Sequence, residues 1–292
     1  MASGILSLFD DVAALMDDVA SASKIATRKA AGILGDDLAV NAEKATGFLA
    51  NRELPVLWAI TKGSLLNKLI IVPIALTLSA FWPIAITVIL VAGGCYLAYE
   101  GVESIVELIT HRLDKKKGEV TIEAESQPPD EKAKVRSAIV TDFVLSVEIV
   151  IIALYSVIEQ PLGVRILTVS VVSLIATAGV YGLVTFIVRM DDIGYKLVKR
   201  AGGKQPLDFI GTALLWMMPL IIKLLRLVGT LALLFVSGGI FVHNIDYLEH
   251  LFPSMPGMLK EFLAGLICGV IAVAVVKGVS FIWRRIRTSG GR

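Results

Sequence analysis

The sequence predicts an all-α protein, a polytopic membrane helical bundle of about six transmembrane helices, with an N-terminal amphipathic helix and short re-entrant or interfacial segments. Three observations predict it. The chain is 55% hydrophobic and 18% charged, with a mean hydropathy of +0.76, whereas soluble domains carry roughly a quarter charged residues. Its apolar residues come in long blocks rather than in alternating or narrow helical stripes. Its Lys and Arg residues fall in every second connection between those blocks, the pattern of the positive-inside rule.

The predicted spans run, in order, over Ser64–Phe81, Pro83–Val102, Ala138–Ile158, Arg165–Val188, Leu227–Ile245 and Met258–Trp283. The first two come from a nearly unbroken apolar stretch, Leu69 to Tyr99, about half as long again as one crossing requires. Ser79-Ala80-Phe81-Trp82-Pro83 is the natural place for a tight turn, with Trp82 at an interface. Basic residues cluster before the first span, in the second-to-third connection, in the fourth-to-fifth connection and after the last span. The other three connections hold only Arg165 and Lys260. Multi-pass insertion with both termini cytoplasmic follows. The chain then divides into an interfacial amphipathic region (1–62), a transmembrane domain (63–283) with a polar cytoplasmic loop (110–137), and a basic tail (284–292).

Two shorter apolar segments, 53–60 and 209–222, each carry a Leu-Trp pair, Leu57-Trp58 and Leu215-Trp216. An Asp pair precedes each one, Asp36-Asp37 or Asp191-Asp192, which suggests a weak parallel repeat. Such segments either re-enter the membrane or lie along its interface. Ahead of them, Ile5, Leu8, Phe9, Val12, Leu15, Met16 and Val19 recur at helical spacing opposite Asp10-Asp11 and Asp17-Asp18. That helix is acidic, so it is expected to pack on protein rather than on anionic lipid. The Asp pairs make Asp36, Asp37, Asp191 and Asp192 weak candidates for a divalent metal site, against the alternative of solvated faces and helix caps.

The third span carries Glu148 about 15 Å from its start, near the bilayer midplane. A carboxylate there costs roughly 2.5–3.5 kcal/mol on insertion scales. Thr141, Tyr155 and Glu159 share its sector of the helix, and Asp142 lies on an adjacent face. On the next span Ser170, Ser173, Thr177, Tyr181 and Thr185 form an opposing stripe. The candidate intramembrane polar pathway is therefore Glu148, Asp142, Thr141, Tyr155, Thr177 and Tyr181, with Lys223, Arg226 and Lys277 as countercharges. The alternative is a protonated, structural Glu148 bonded across a helix interface. Small-residue faces at Gly94, Ala98 and Gly101, and at Gly265 and Gly269, read as sites of close helix packing.

The remaining chemistry is sparse. Cys95 and Cys268 sit singly in apolar blocks, and the three histidines lack ligand spacing. There is no phosphate-binding loop, zinc-protease motif or nucleophile elbow, so no catalytic residue and no cofactor is expected. A net charge of +2 gives no reason to expect nucleic acid. Membrane lipids, a small ion or solute, and further copies of the chain are the partners that fit.

Several segments together carry a family resemblance: Leu34-Gly35-Asp36-Asp37-Leu38, Asn51-Arg52-Glu53-Leu54-Pro55-Val56, Lys62-Gly63-Ser64, Glu100-Gly101-Val102-Glu103, Thr141-Asp142-Phe143, Glu148-Ile149-Val150, Gly179-Val180-Tyr181-Gly182-Leu183-Val184, Asp191-Asp192 and Val228-Gly229-Thr230-Leu231-Ala232. In this order they resemble the YedI-like family of bacterial inner-membrane proteins, a family of unknown function. The resemblance implies a bacterial inner membrane and supplies no catalytic residues. The expected function is that of a transporter or channel-like conduit, proton- or cation-linked. A non-transporting scaffold or regulator is the second expectation, and a metal-dependent membrane enzyme the third.

Overall fold

The computed structural model describes residues 2–46, 52–117, 131–201, 206–245, 247–248 and 255–289. Of the polar loop expected at 110–137, residues 110–117 close one helix and 131–137 open the next, while 118–130 lie outside the described residues, as do His250 and residues 290–292 of the basic tail. The side chains of Arg284, Arg285 and Arg287 are outside them too. Every described element is a helix. They are α1 (Ala2–Ala45), α2 (Glu53–Phe81), α3 (Pro83–Lys117), α4 (Glu131–Tyr155), α5 (Leu162–Val188), α6 (Met190–Ala201), α7 (Leu207–Asn244) and α8 (Gly257–Ser289).

Six helices are long and apolar enough to cross a membrane among the described residues: Glu53–Phe81, Pro83–Glu107, Glu131–Tyr155, Leu162–Val188, Pro219–Asn244 and Gly257–Gly278. The protein is membrane-embedded and all-α. Trp82 leaves the helical region (φ −150°, ψ 70°), and Pro83 opens α3, where its missing N–H has no role. The turn between the first two spans thus falls where expected. The Trp-bearing segments 53–60 and 209–222 are the leading turns of α2 and α7, continuous with the spans that follow. The 62/63 boundary accordingly falls inside α2, because the polar residues before Ser64 do not stop the helix.

The chain forms two compact units. The first comprises Met1–Ile86 and Glu131–Leu225. Here α2 and α4 run parallel: Gly63 faces Ile139, Ser64 meets Asp142 and Lys68 meets Ser146. α1 runs antiparallel to α4, with Ala30 packed on Ile149 and Ala176, and Ala42 and Ala45 in a cluster with Ala138, Val184 and Val188. Its buried alanines at 22, 26 and 30 lie one turn apart, which brings the backbones close. α1 packs on protein along α4 and α5 through its turns from Val19 onward. Its N-terminal turns, with Phe9, Val12, Met16 and all four aspartates of 10–18, are exposed. α6 is a short amphipathic helix with Asp191 and Asp192 in its first turn and Lys199 and Arg200 in its last, in accord with the helix dipole.

The second unit comprises Thr87–Asp130 and Arg226–Arg292. It packs through glycines. Gly94 faces Ile240 and Phe241, and Gly101 faces Leu233 and Leu234. Gly238 lies against the main chain of Glu261, Gly265 against that of Leu234 and Gly269 against that of Ala98. The small-residue faces predicted on α3 and α8 are thus packing faces. Val102, Leu234 and Val273 form the adjoining apolar cluster, and the Phe235 and Phe262 rings are 5.5 Å apart.

Candidate functional site

Apolar spans leave few buried positions for charge, and those in the first unit converge on one carboxylate. Asp142 lies mid-helix on α4 and is fully buried. Ser64 Oγ donates to its Oδ1 at 2.8 Å, and Asn67 Nδ2 to its Oδ2 at 3.0 Å. Lys68 Nζ lies 3.7 Å from Oδ1 and donates to Ser64 Oγ at 2.9 Å and Ser146 Oγ at 2.8 Å. Lys68 is itself 5% exposed, so the ion pair is sealed from solvent. Ser64, Asn67 and Lys68 fall at helical spacing on one face of α2, and Asp142 and Ser146 one turn apart on α4. Each helix therefore offers a short polar stripe in register with the other. Gly63, against Ile139, permits the close approach.

The second half of the hub comes from α5 and α1. Tyr181 OH lies 2.9 Å from Asp142 Oδ1 and 3.0 Å from Asn41 Oδ1. Asn41 Nδ2 donates to Asp37 Oδ1 at 2.7 Å and to the Asp37 main-chain oxygen at 2.9 Å. Asp37 is 1% exposed. Burial, reinforced by Asp142 and opposed by Lys68 and the Asn41 bond, pushes its carboxyl up from 3.8 to about 7. Stranding a single ion here by deleting its partner would cost about 3–5 kcal/mol. The network satisfies its members with one another instead.

The six pathway residues predicted from sequence do not all meet. Asp142 and Tyr181 are in the hub. Thr141 is buried beside it on α4 and donates to Ser137 O, and buried Thr177 donates to Ser173 O on α5. Tyr155 is exposed at the end of α4. Glu148 is half-buried and lies six residues from Asp142, about 120° around the helix. The centre of the polar site is thus Asp142, not Glu148, and the countercharge is Lys68. Lys223, Arg226 and Lys277 are exposed. The helical turns before Ser64 put Lys68 in the middle of α2, whereas the shorter predicted span left it near an end.

The metal candidates separate as well. Asp37 belongs to the hub and Asp36 is half-buried next to it. Asp192 is paired with Arg189, and its main-chain N–H donates to Asp191 Oδ1 at 2.7 Å. The two Asp pairs therefore occupy unlike settings, against the equivalence a repeat would require. Among the described residues no three His, Cys, Asp or Glu side chains gather as a metal site.

Beside the hub, α2 and α5 enclose a groove of about 620 Å³. Its walls are mainly apolar, from Trp58 and Leu65 to Leu174, and its polar lining groups are Thr61, Thr177, Tyr181 and Thr185. Lys62 Nζ sits 5.3 Å over the Trp58 ring. Tyr181 thus touches both the groove and the hub, through its ring and its hydroxyl.

No curated protein matches the chain, and neither does any solved structure. A family model described as "Protein of unknown function (DUF808)" matches residues 3–281, nearly the whole length, and the chain belongs to that family.

Proposed function

We propose that this is a multi-pass transport protein of the bacterial inner membrane that moves a small ion or solute in a proton- or cation-linked cycle centred on Asp142. One observation carries the reading: a Lys68–Asp142 ion pair and a second carboxyl, Asp37, are buried together on membrane-embedded helices and their neighbour α1. Ionisable groups at such depth are costly, and where they persist they mark ion pathways and proton relays. Tyr181 supports it by joining the hub to the groove between α2 and α5. The Lys and Arg alternation supports cytoplasmic N- and C-termini and cytoplasmic basic loops.

The test is ion flux into reconstituted vesicles under an imposed pH gradient. Asp142→Asn is expected to abolish flux, and Glu148→Gln to leave most of it. Equal flux in wild type, Asp142→Asn and protein-free vesicles would refute the proposal.

A second reading, a non-transporting scaffold or regulator, is favoured by the exposed acidic end of α1, where apolar Phe9, Val12 and Met16 also face outward. Deleting residues 1–23 would then remove a co-purifying protein while leaving flux at background in both forms.

A further inference from the structure

Asp37, Asn41, Tyr181 and Asp142 make a chain of three contacts, at 2.7, 3.0 and 2.9 Å. Each needs one proton between its heavy atoms. An amide turns its nitrogen to one neighbour and its oxygen to the other, and a tyrosine has a single hydroxyl proton. With both carboxylates ionised, Asn41 and Tyr181 supply two protons for three contacts. The 2.9 Å bond from Asn41 Nδ2 to the Asp37 main-chain oxygen holds the nitrogen toward Asp37. The lone Tyr181 proton is then left to serve both Asn41 Oδ1 and Asp142 Oδ1. One more proton completes the chain. It sits on Asp142 with the amide as it stands, or on Asp37 with the amide reversed.

Charge leads to the same count. The hub holds one cation, Lys68, and two carboxyls, Asp37 and Asp142, and buried net charge is costly. A single proton brings it to neutrality.

We propose that the hub binds one exchangeable proton, shared between Asp37 and Asp142 through Asn41 and Tyr181. This names the coupled ion of the transport reading and depends on that reading only for its use. The proton leaves a solvent hydronium ion, whose O–H bond breaks to give water, forms an O–H bond on one carboxylate and takes the hub from a net charge of −1 to 0. The amide as bonded to the Asp37 main-chain oxygen places the proton on Asp142, and the reversed amide places it on Asp37, so the two carboxyls share it. The groups acting on Asp37 are Asp36 and Asn41 on its own helix, Lys68 on α2, Asp142 on α4 and Tyr181 on α5. Two acids that share one proton titrate as a pair.

The experiment is a pH titration of the full chain in lipid nanodiscs, following the infrared C=O band of protonated carboxyls. One band is expected to titrate near neutral pH. It is lost in Asp37→Asn, and lost equally in Asp142→Asn, where Lys68 neutralises Asp37 alone. Tyr181→Phe keeps the ring in its apolar setting. It is expected to retain the band and raise its midpoint by about one pH unit, a tenfold change in proton affinity. A wild-type protein with no carboxyl titrating near neutral pH overturns the proposal, as does a band that survives both Asn variants. A band that behaves as expected in protein without vesicle flux would refute the transport reading and leave the shared proton standing.

Discussion

The two units of this protein solve helix packing in opposite ways. The first brings its helices together around charge, with Asp142, Lys68, Asp37, Asn41 and Tyr181 bonded across four helices. The second does so around the absence of side chains, with Gly238, Gly265 and Gly269 set against neighbouring backbone. In an apolar solvent lipid competes with Leu and Val for contact, so specificity comes from polar bonds or from close backbone approach. Glycine packing gives a fixed scaffold. A polar hub fixes geometry too, but its energy depends on charge and proton occupancy, so it can respond to pH. That difference locates the chemistry in the first unit.

The sharpest way to break the comparison is to remove one charge. Asp142→Ala removes the carboxylate that pairs with Lys68 and accepts from Ser64 and Asn67, and is expected to destabilise the protein by about 3–5 kcal/mol. The double variant Lys68→Met/Asp142→Leu should recover much of that stability, without function, in detergent melting curves. If the single variant melts like the wild type, the ion pair is not buried as described.

The glycine unit should fail differently. Gly269→Val places a branched side chain on the Ala98 main chain and is expected to cost about 1–3 kcal/mol or more, with no dependence on pH. A pH-dependent loss in that variant would erase the distinction between the units.

Much of this architecture is legible in the sequence because block hydrophobicity and basic-loop alternation directly reflect the cost of burying charge in lipid. The turn at Trp82-Pro83, the glycine faces and the membership of Asp142 and Tyr181 in a polar site all follow from local pattern. Three hub members do not. Lys68 falls four residues after Ser64, where hydropathy begins to rise, and only the continuity of α2 back to Glu53 makes it central. Asn41 and Asp37 sit on a helix too polar to count among the six spans, and its long burial against α4 and α5 is a tertiary fact. The available signal was spacing: Asp37 with Asn41, Ser64 with Lys68, and Asp142 with Ser146 are each one helical turn apart. Glu148 stands out in the sequence by its depth and its stripe of polar companions, and neither specifies which face of α4 meets a partner.

The most direct test of a proton-holding hub is thermal stability against pH in wild type and Asp37→Asn. A folded-state carboxyl raised from 3.8 to about 7 holds its proton where the unfolded chain has released it. Its contribution to stability is then fully present below the lower value, falls as pH rises between the two, and is gone above about 7. The wild type is therefore predicted to melt higher at about pH 5 than at about pH 8, and the difference should shrink in Asp37→Asn. A wild-type melting temperature that is flat or rises over this interval would contradict the account, as would a slope that Asp37→Asn leaves unchanged.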